Sequence, residues 1–236
     1  MDAFLTWNIY DYENVIPPPK DIPSDKTFYL TDTDENAKLA EKLGWNKAFV
    51  TNAFKERINN AHMREALADI KCYTEVYVPD IKQFDRLFLF DSDVVVLDSN
   101  YSEFVKKSSP EYALYVSSGY AKGDRDCIQE ELKESVENPR WSYGVKQMNK
   151  SVGEYITCLN DMGLSSPSIV SAKYTGWNLK HKMRKEIADW IYGEYMKHLQ
   201  GNIIYTMASV IFEEYVFNYR DFINDGALQS HRSYDR

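Results

Sequence analysis

The run Arg86-Leu-Phe-Leu-Phe90 constrains this chain more than any other segment. Four consecutive large apolar side chains cannot alternate between a wet face and a dry one. The run therefore reads as a central strand covered on both faces, the kind found where helices flank a largely parallel sheet. It stops at Asp91-Ser-Asp93, and an apolar stretch resumes as Val94-Val-Val-Leu97. In open α/β sheets, ligands bind in the crevice beyond the carboxyl ends of the strands. Two carboxylates flanking one residue thus stand where such a fold does its chemistry.

The flanking sequence agrees. Strands are expected over 5–10, 27–31, 48–51 and 112–116, with Pro17-Pro18-Pro19 as a loop that can continue neither helix nor ladder. A helix is expected over 35–43, capped within Asp32-Thr-Asp34 and stopped by Gly44, and another over 54–73. Further on, residues 126–163 read as mostly helical with a break near Pro139. Residues 168–171 and 176–178 read as short extended pieces, and 181–198 and 205–219 as helices. Early strands alternate with helices and the C-terminal half is more helical. That is an α/β fold, Rossmann-like, with a mixed, mainly parallel sheet. A chain of 236 residues suits one domain. Asp11, Asp32 and Asp91 each follow a strand and can point into one crevice.

Composition narrows the function. Lys and Arg number 28 against 36 Asp and Glu, a net charge of −8, which excludes a general nucleic-acid binder. The surplus of carboxylates is compatible with a divalent cation that brings a phosphate-bearing substrate. No apolar stretch is long enough for a transmembrane helix, and the first residues lack the pattern of a signal peptide. Cys72, Cys127 and Cys158 stand far apart with no Cys-x-x-Cys, which argues against a zinc site or a disulfide framework and for a reducing cytoplasm.

Hard cations such as Mg²⁺ and Mn²⁺ take oxygen ligands, and Asp91 and Asp93 at a strand end can face one ion, directly or through water. The motif by itself is common. With 19 Asp in the chain, chance yields roughly 1.5 matches to Asp-x-Asp, and three occur: Asp32/Asp34, Asp91/Asp93 and Asp124/Asp126. The first is most simply a helix cap and the third a solvated loop. The buried strand ahead of Asp91 sets the second apart, with strand and turn capping as its plain alternative.

The segment Asp80-Ile-Lys-Gln-Phe-Asp-Arg-Leu-Phe-Leu-Phe-Asp-Ser-Asp-Val-Val-Val-Leu97 resembles the entry into the DxD motif of GT-A-fold glycosyltransferases. It is most similar to nucleotide-sugar transferases of the glycogenin and galactosyltransferase type and to those that large algal DNA viruses encode for capsid glycans. The resemblance is specific over about 80–98 and loose elsewhere. It implies a UDP-sugar donor, Mn²⁺ or Mg²⁺, and a glycan or glycoprotein acceptor, with the host cytoplasm as the compartment if the chain is viral. It assigns base and nucleoside contacts to Thr6, Asn8, Tyr10 and Asp32. It assigns phosphate or DxD contacts to Arg57, Arg64 and Lys71, spaced by seven on one helix face, and places Ser92 among the donor-binding residues. The metal ligands would be Asp91, Asp93 and His231. On the acceptor side, within Tyr174-Thr-Gly-Trp-Asn178, a glycine would let backbone approach the sugar. Trp177 would stack on the sugar ring or else sit in the core, and Asn178 would bond hydroxyls. Glu213, beside Glu214 on a late helix, would be an acid facing the reacting sugar, with the Asp124–Asp126 stretch as the other source. The family's Asn-Ala-Gly acceptor motif is missing. Retention of anomeric configuration follows from the members it resembles most.

Residues about 1–120 would then form the nucleotide-binding part and about 121–236 the acceptor part. The chain stops five residues after His231, which suggests a catalytic domain cut from a longer protein. Two other classes share the strand and DxD signal: haloacid-dehalogenase-type phosphatases, whose first Asp is a nucleophile, and a non-catalytic glycan-binding module. A motif beginning at residue 91, with no later acidic pair after an apolar run, disfavours the phosphatase.

Overall fold

The structure of the protein, a computed structural model, describes residues 1–54, 60–92, 104–118, 157, 170–198 and 216–219, with side chains from 65 onward in the second helix. Among these, the strands are β1 (Asp2–Asn8), β2 (Thr27–Thr31), β3 (Lys47–Val50), β4 (Arg86–Phe90), β5 (Leu114–Ser118), β6 (Val170–Asn178) and β7 (Val216–Tyr219). The helices are α1 (Asp34–Lys42), α2 (Asn60–Tyr77) and α3 (Arg184–His198). All seven strands join one sheet in the order β3-β2-β1-β4-β6-β5-β7. Neighbours are parallel except β6, which runs antiparallel to both β4 and β5. The fold is therefore the mixed, mainly parallel α/β sheet that the apolar run at 86–90 demands.

That run is apolar throughout because both of its faces are covered. Leu87 and Leu89 lie with Ala3, Leu5, Trp7 and Ile9 against Ile70 of α2 and Ile187 and Ile191 of α3. Phe88 and Phe90 face the other way, with Phe4, Tyr29, Ala40 of α1 and Phe104. On this second face Phe4, Phe88 and Tyr115 stack at 5.6 and 5.8 Å between ring centres. Tyr115 and Phe88 come from β5 and β4, and β6 lies between them. They meet over Gly176 of β6, whose added Cβ would fall 2.8 Å from Tyr115 and 2.9 Å from Phe88. The glycine thus serves ring packing inside the sheet and not backbone approach to a sugar.

Two elements differ from the sequence expectation. Residues 170–171 of the first expected piece and 176–178 of the second are parts of one nine-residue strand, β6, since Gly176 is accommodated inside the ladder; 168 and 169 lie outside the described residues. Residues 216–219, expected within a helix, form β7, where Val-Phe-Asn-Tyr, β-branched and aromatic, pairs with β5. The cap of α1 lies within Asp32-Thr-Asp34 as expected: it is Thr33, which accepts from the Asn36 N–H at 3.2 Å. Gly44 follows α1 at φ +109, the left-handed region expected of a helix stop. The expected elements at 94–97, 126–163 and 205–215 lie outside the described residues, apart from position 157. No helix among the described residues is long and apolar enough to cross a membrane.

The link from β1 to β2 is unusual for a parallel crossover. Residues 9–26 carry only a 3-10 turn at Ser24–Lys26 where a helix is usual. Val15 and Ile22 pack on the second core face, and Trp45 Nε1 donates to Ile16 O at 2.7 Å.

Candidate functional site

Chain direction changes at the middle of the sheet: β1 leads outward to β2 and β3, and the chain returns to place β4 on the other side of β1. The carboxyl ends of β1 and β4 therefore flank the switch point where open α/β sheets bind ligands. Asp91 and Ser92 follow β4 at this edge, Tyr10 and Asp11 follow β1, and Asp32 follows β2.

Asp91 meets Lys71, one of the three basic candidates on the second helix. Lys71 Nζ lies 2.9 Å from Asp91 Oδ1 and 5.4 Å from the centre of the Trp7 ring. Alternation explains the meeting, because Trp7 and Asp91 continue the face of Leu5 and Leu89, and α2 covers that face. Lys71 is only 7% exposed, so its charge needs the carboxylate. The Asp91 side chain is 28% exposed, and since Oδ1 is buried against Lys71, the open part is on its other side. An oxygen presented from one side of a carboxylate suits a single contact to a hard cation. Among the described residues no three His, Cys, Asp or Glu gather to hold a metal ion. Asp93 and His231 lie outside those residues.

The β1 edge is built as a fixed turn. Tyr10 and Asp11 have φ of 65° and 51°, left-handed values that non-glycine residues adopt at a cost. Two side chains hold them there. Asn8 receives the Glu13 N–H on Oδ1 at 3.1 Å and donates from Nδ2 to Glu13 O. Asp32 Oδ2 receives the Tyr10 N–H at 2.8 Å. Its Oδ1 is buried without a hydrogen-bond partner among the described residues. Asp11 Oδ1 accepts from Asn36 Nδ2 at 3.3 Å. Asp11, Asp32 and Asp91 thus share one sheet edge, as their positions after strands imply.

Several expected contacts turn out to be structural. Thr6 is fully buried and donates from Oγ1 to Phe90 O at 2.8 Å, so it ties β1 to the end of β4 and offers no group to a base. Asn8 has both amide atoms engaged by Glu13. Trp177 has no exposed surface. Of its two readings the core one holds, because its indole packs under Arg184 and its N–H is used on backbone, leaving no face for a sugar ring. Asn178 pairs with Arg86 at the start of β4, about 16 Å along the strand from Asp91 at 3.3 Å per residue. Its Nδ2 donates to Pro110 O and its Oδ1 accepts from Lys180 N. Antiparallel β6 carries Trp177 and Asn178 to the far edge and brings Tyr174 beside Phe90 instead. Arg57 and Glu213 lie outside the described residues, as does the side chain of Arg64. Ser92 is buried.

Trp7 and Arg184 were not singled out from the sequence. Trp7 carried a usable signal: it shares the odd-numbered face of β1 with Leu5 and Ile9, the face to which a helix bearing Lys71 must pack. Arg184 carried none, since its partners, the Cys72 carbonyl, the Glu75 carboxylate and, seven residues back, the Trp177 ring, are brought together only by the fold.

No protein-family model matches the chain, and no curated protein matches it in sequence. Solved structures share its chain path loosely. Mouse xyloside xylosyltransferase 1 in its apo form aligns at a TM-score of 0.46 with 9% identity, covering 92% of this chain and 85% of that one. The galactosyltransferase LgtC, in complex with donor and acceptor sugar analogs, aligns at 0.47 with 13% identity, covering 92% and 73%. The bifunctional glycosyltransferase WbbM aligns at 0.47 with 12% identity, and this chain spans 38% of it. At such scores the likeness bears no weight beside the geometry of the edge itself.

Proposed function

We propose that the protein is a glycosyltransferase that moves a sugar from a UDP-sugar to a hydroxyl of a glycan acceptor, with retention of anomeric configuration. The observation that supports it is the Lys71–Asp91 pair at the carboxyl edge of β1 and β4. A basic residue on the helix before the DxD strand meets the first DxD carboxylate at the switch point, the relationship that the resemblance over 80–98 implies.

In this reading Asp91, Asp93 and His231 hold Mn²⁺ or Mg²⁺, which supplies positive charge to the diphosphate leaving group. Lys71 serves the same end from the protein side. Its ammonium is held near the edge by a carboxylate and an indole, and a diphosphate arriving there gains a charge-assisted donor. Arg57, Arg64 and Ser92 belong to the same phosphate side. The fixed turn at Tyr10, with the second oxygen of Asp32 beside it, faces the nucleoside. The acceptor is taken by the C-terminal part of the chain, about 121–236, where Glu213 is the candidate acid. The protein's contribution is placement of donor and acceptor.

Titrating UDP with and without Mn²⁺ by calorimetry, and following UDP-sugar hydrolysis, tests this. Binding should need the metal. The Asp93→Ala variant should keep its circular dichroism and lose hydrolysis. Undiminished turnover in that variant, or hydrolysis of simple phosphate esters in place of UDP-sugars, would overturn the assignment.

A further inference from the structure

Helix α2 is broken within one turn of Lys71. Tyr73 has φ −129° and ψ 38°, outside helical values. The carbonyls of Ile70, Lys71 and Cys72 look along the helix to donors at or beyond this break, and each is met by a side chain. Thr74 Oγ1 donates to Ile70 O at 2.6 Å, Trp177 Nε1 to Lys71 O at 2.8 Å, and Arg184 Nη2 to Cys72 O at 2.6 Å. Arg184 also bonds Glu75 Oε2 at 3.2 Å across the break and stacks 4.0 Å from the Trp177 ring centre. Trp177 and Arg184 are both buried. Buried carbonyls need partners, and those of Lys71 and Cys72 find theirs on β6 and α3.

From this arrangement, and resting on the function proposed above, we infer that Trp177 and Arg184 are positioning residues for Lys71. Trp177 grips the backbone of the same residue whose side chain meets Asp91, and Arg184 grips the next one. A lysine side chain has four rotatable bonds and a strongly hydrated head. It stays on Asp91 because its backbone is tied to β6 through its carbonyl and its ammonium lies over the Trp7 ring. The hydrogen bond from β6 therefore reaches the switch-point edge through the backbone, although the Trp177 ring lies toward the opposite end of the strand. Both residues act through Lys71 and neither touches the ligand crevice.

The test is a pair of double-mutant cycles on the intact chain. Trp177→Phe keeps an aromatic ring under Arg184 and removes the N–H donor; the ring volume lost with it is common to both arms of the cycle and cancels. In urea unfolding without ligand, Trp177→Phe and Asp91→Asn are made singly and together. If Trp177 maintains the ion pair, the double variant loses less stability than the sum of the singles. A sum that is simply additive overturns the inference, because a residue that merely fills the core does not couple to Asp91. In calorimetry with UDP and Mn²⁺, Trp177→Phe should weaken binding by roughly five- to tenfold, comparable to one lost neutral hydrogen bond. Adding it to Lys71→Met should weaken binding no further. Independent, multiplying losses count against the inference. Failure of the parent chain to bind UDP with metal would sink the glycosyl-transfer reading alone, and the urea cycle would still decide the positioning. Should Trp177→Phe not fold, Arg184→Lys, which keeps the charge but not the reach to both Cys72 O and Glu75, goes through the same urea cycle.

Discussion

Lys71 and Asp91 form an unequal pair: the lysine is almost wholly buried and the aspartate is open to the crevice on one side. The two partners therefore do not cost the same to remove. Asp91→Ala strands an ammonium in the core and should lower stability by about 2–4 kcal/mol, toward the range for breaking a buried pair. Lys71→Met leaves a carboxylate that water can reach and should cost no more than about 1 kcal/mol. Urea midpoints with unchanged slopes read the difference directly. Equal losses would mean that the lysine is solvated and the pair is a surface contact.

Gly176 lies under two fully buried rings, and the Cβ of an alanine there has no room. Gly176→Ala should destabilise by about 1–3 kcal/mol, the usual effect of overpacking a dense core. In a chain of this size that corresponds to a fall in melting temperature of roughly 2–4 °C per kcal/mol. A melt matching the parent would show that Phe88 and Tyr115 move aside freely.

The Tyr10 N–H has Asp32 as its partner and sits in a left-handed turn that the backbone does not favour. In Asp32→Ala the turn loses that acceptor, and amide exchange at Tyr10 should accelerate at least about tenfold, the equivalent of one hydrogen bond to a charged group. Asp32→Asn retains an acceptor and should keep most of the protection. Exchange that is equally slow in the alanine variant would show that the Asn8–Glu13 clasp holds the turn unaided.

Burial pushes the Cys72 thiol up to about 12 from its ordinary 9.0, the nearby Arg184 charge pulling weakly the other way. It likewise lifts the Tyr115 hydroxyl to about 12 and those of Tyr29, Tyr73 and Tyr77 well above the usual tyrosine range. The native state therefore keeps these protons where the unfolded chain sheds them. Their contribution to stability is complete below pH 9 and is lost as pH climbs toward 12, so the unfolding free energy should fall with alkalinity over that window. Peptide mapping after thiol labelling at pH 8 should find Cys72 unmodified in the native protein and modified in urea. Rapid native labelling would contradict its burial.

Local chemistry made the central part of the fold legible. The apolar run at 86–90, the helix-ending Gly44 and the strand at 27–31 are set by residues near in sequence. Even the Lys71–Asp91 meeting was within reach, through helix spacing and the resemblance at the DxD segment. The illegible parts depend on partners far along the chain. Gly176 looks like a break until Phe88 and Tyr115 fill its missing side chain. Trp177 resembles a sugar platform until the antiparallel course of β6 turns it toward α2. Thr6, Asn8 and Tyr10 looked like one row of ligand contacts, yet only the turn at Tyr10 stands at the crevice, since the other two side chains are spent on Phe90 and Glu13. Polar type alone does not tell a contact for substrate from a contact for the protein's own backbone.

The place of β6 in the sheet also has a bearing on how the chain is made. During synthesis β1, β2, β3 and β4 emerge early, but the inner edge of β4 has no neighbour until residues 170–178 leave the ribosome. Until then a hydrophobic strand next to Asp91 is without its ladder on one side, a hazard for pairing with other chains. The Phe88–Gly176–Tyr115 contact gives the late arrival a single steric notch. Sliding β6 by one residue either way replaces the glycine under the rings with Thr175 or Trp177, so the register locks only where the notch fits. Completion of the sheet, and with it the setting of Lys71 through Trp177, is thus a late event in which the last central strand finishes an edge begun some eighty residues earlier.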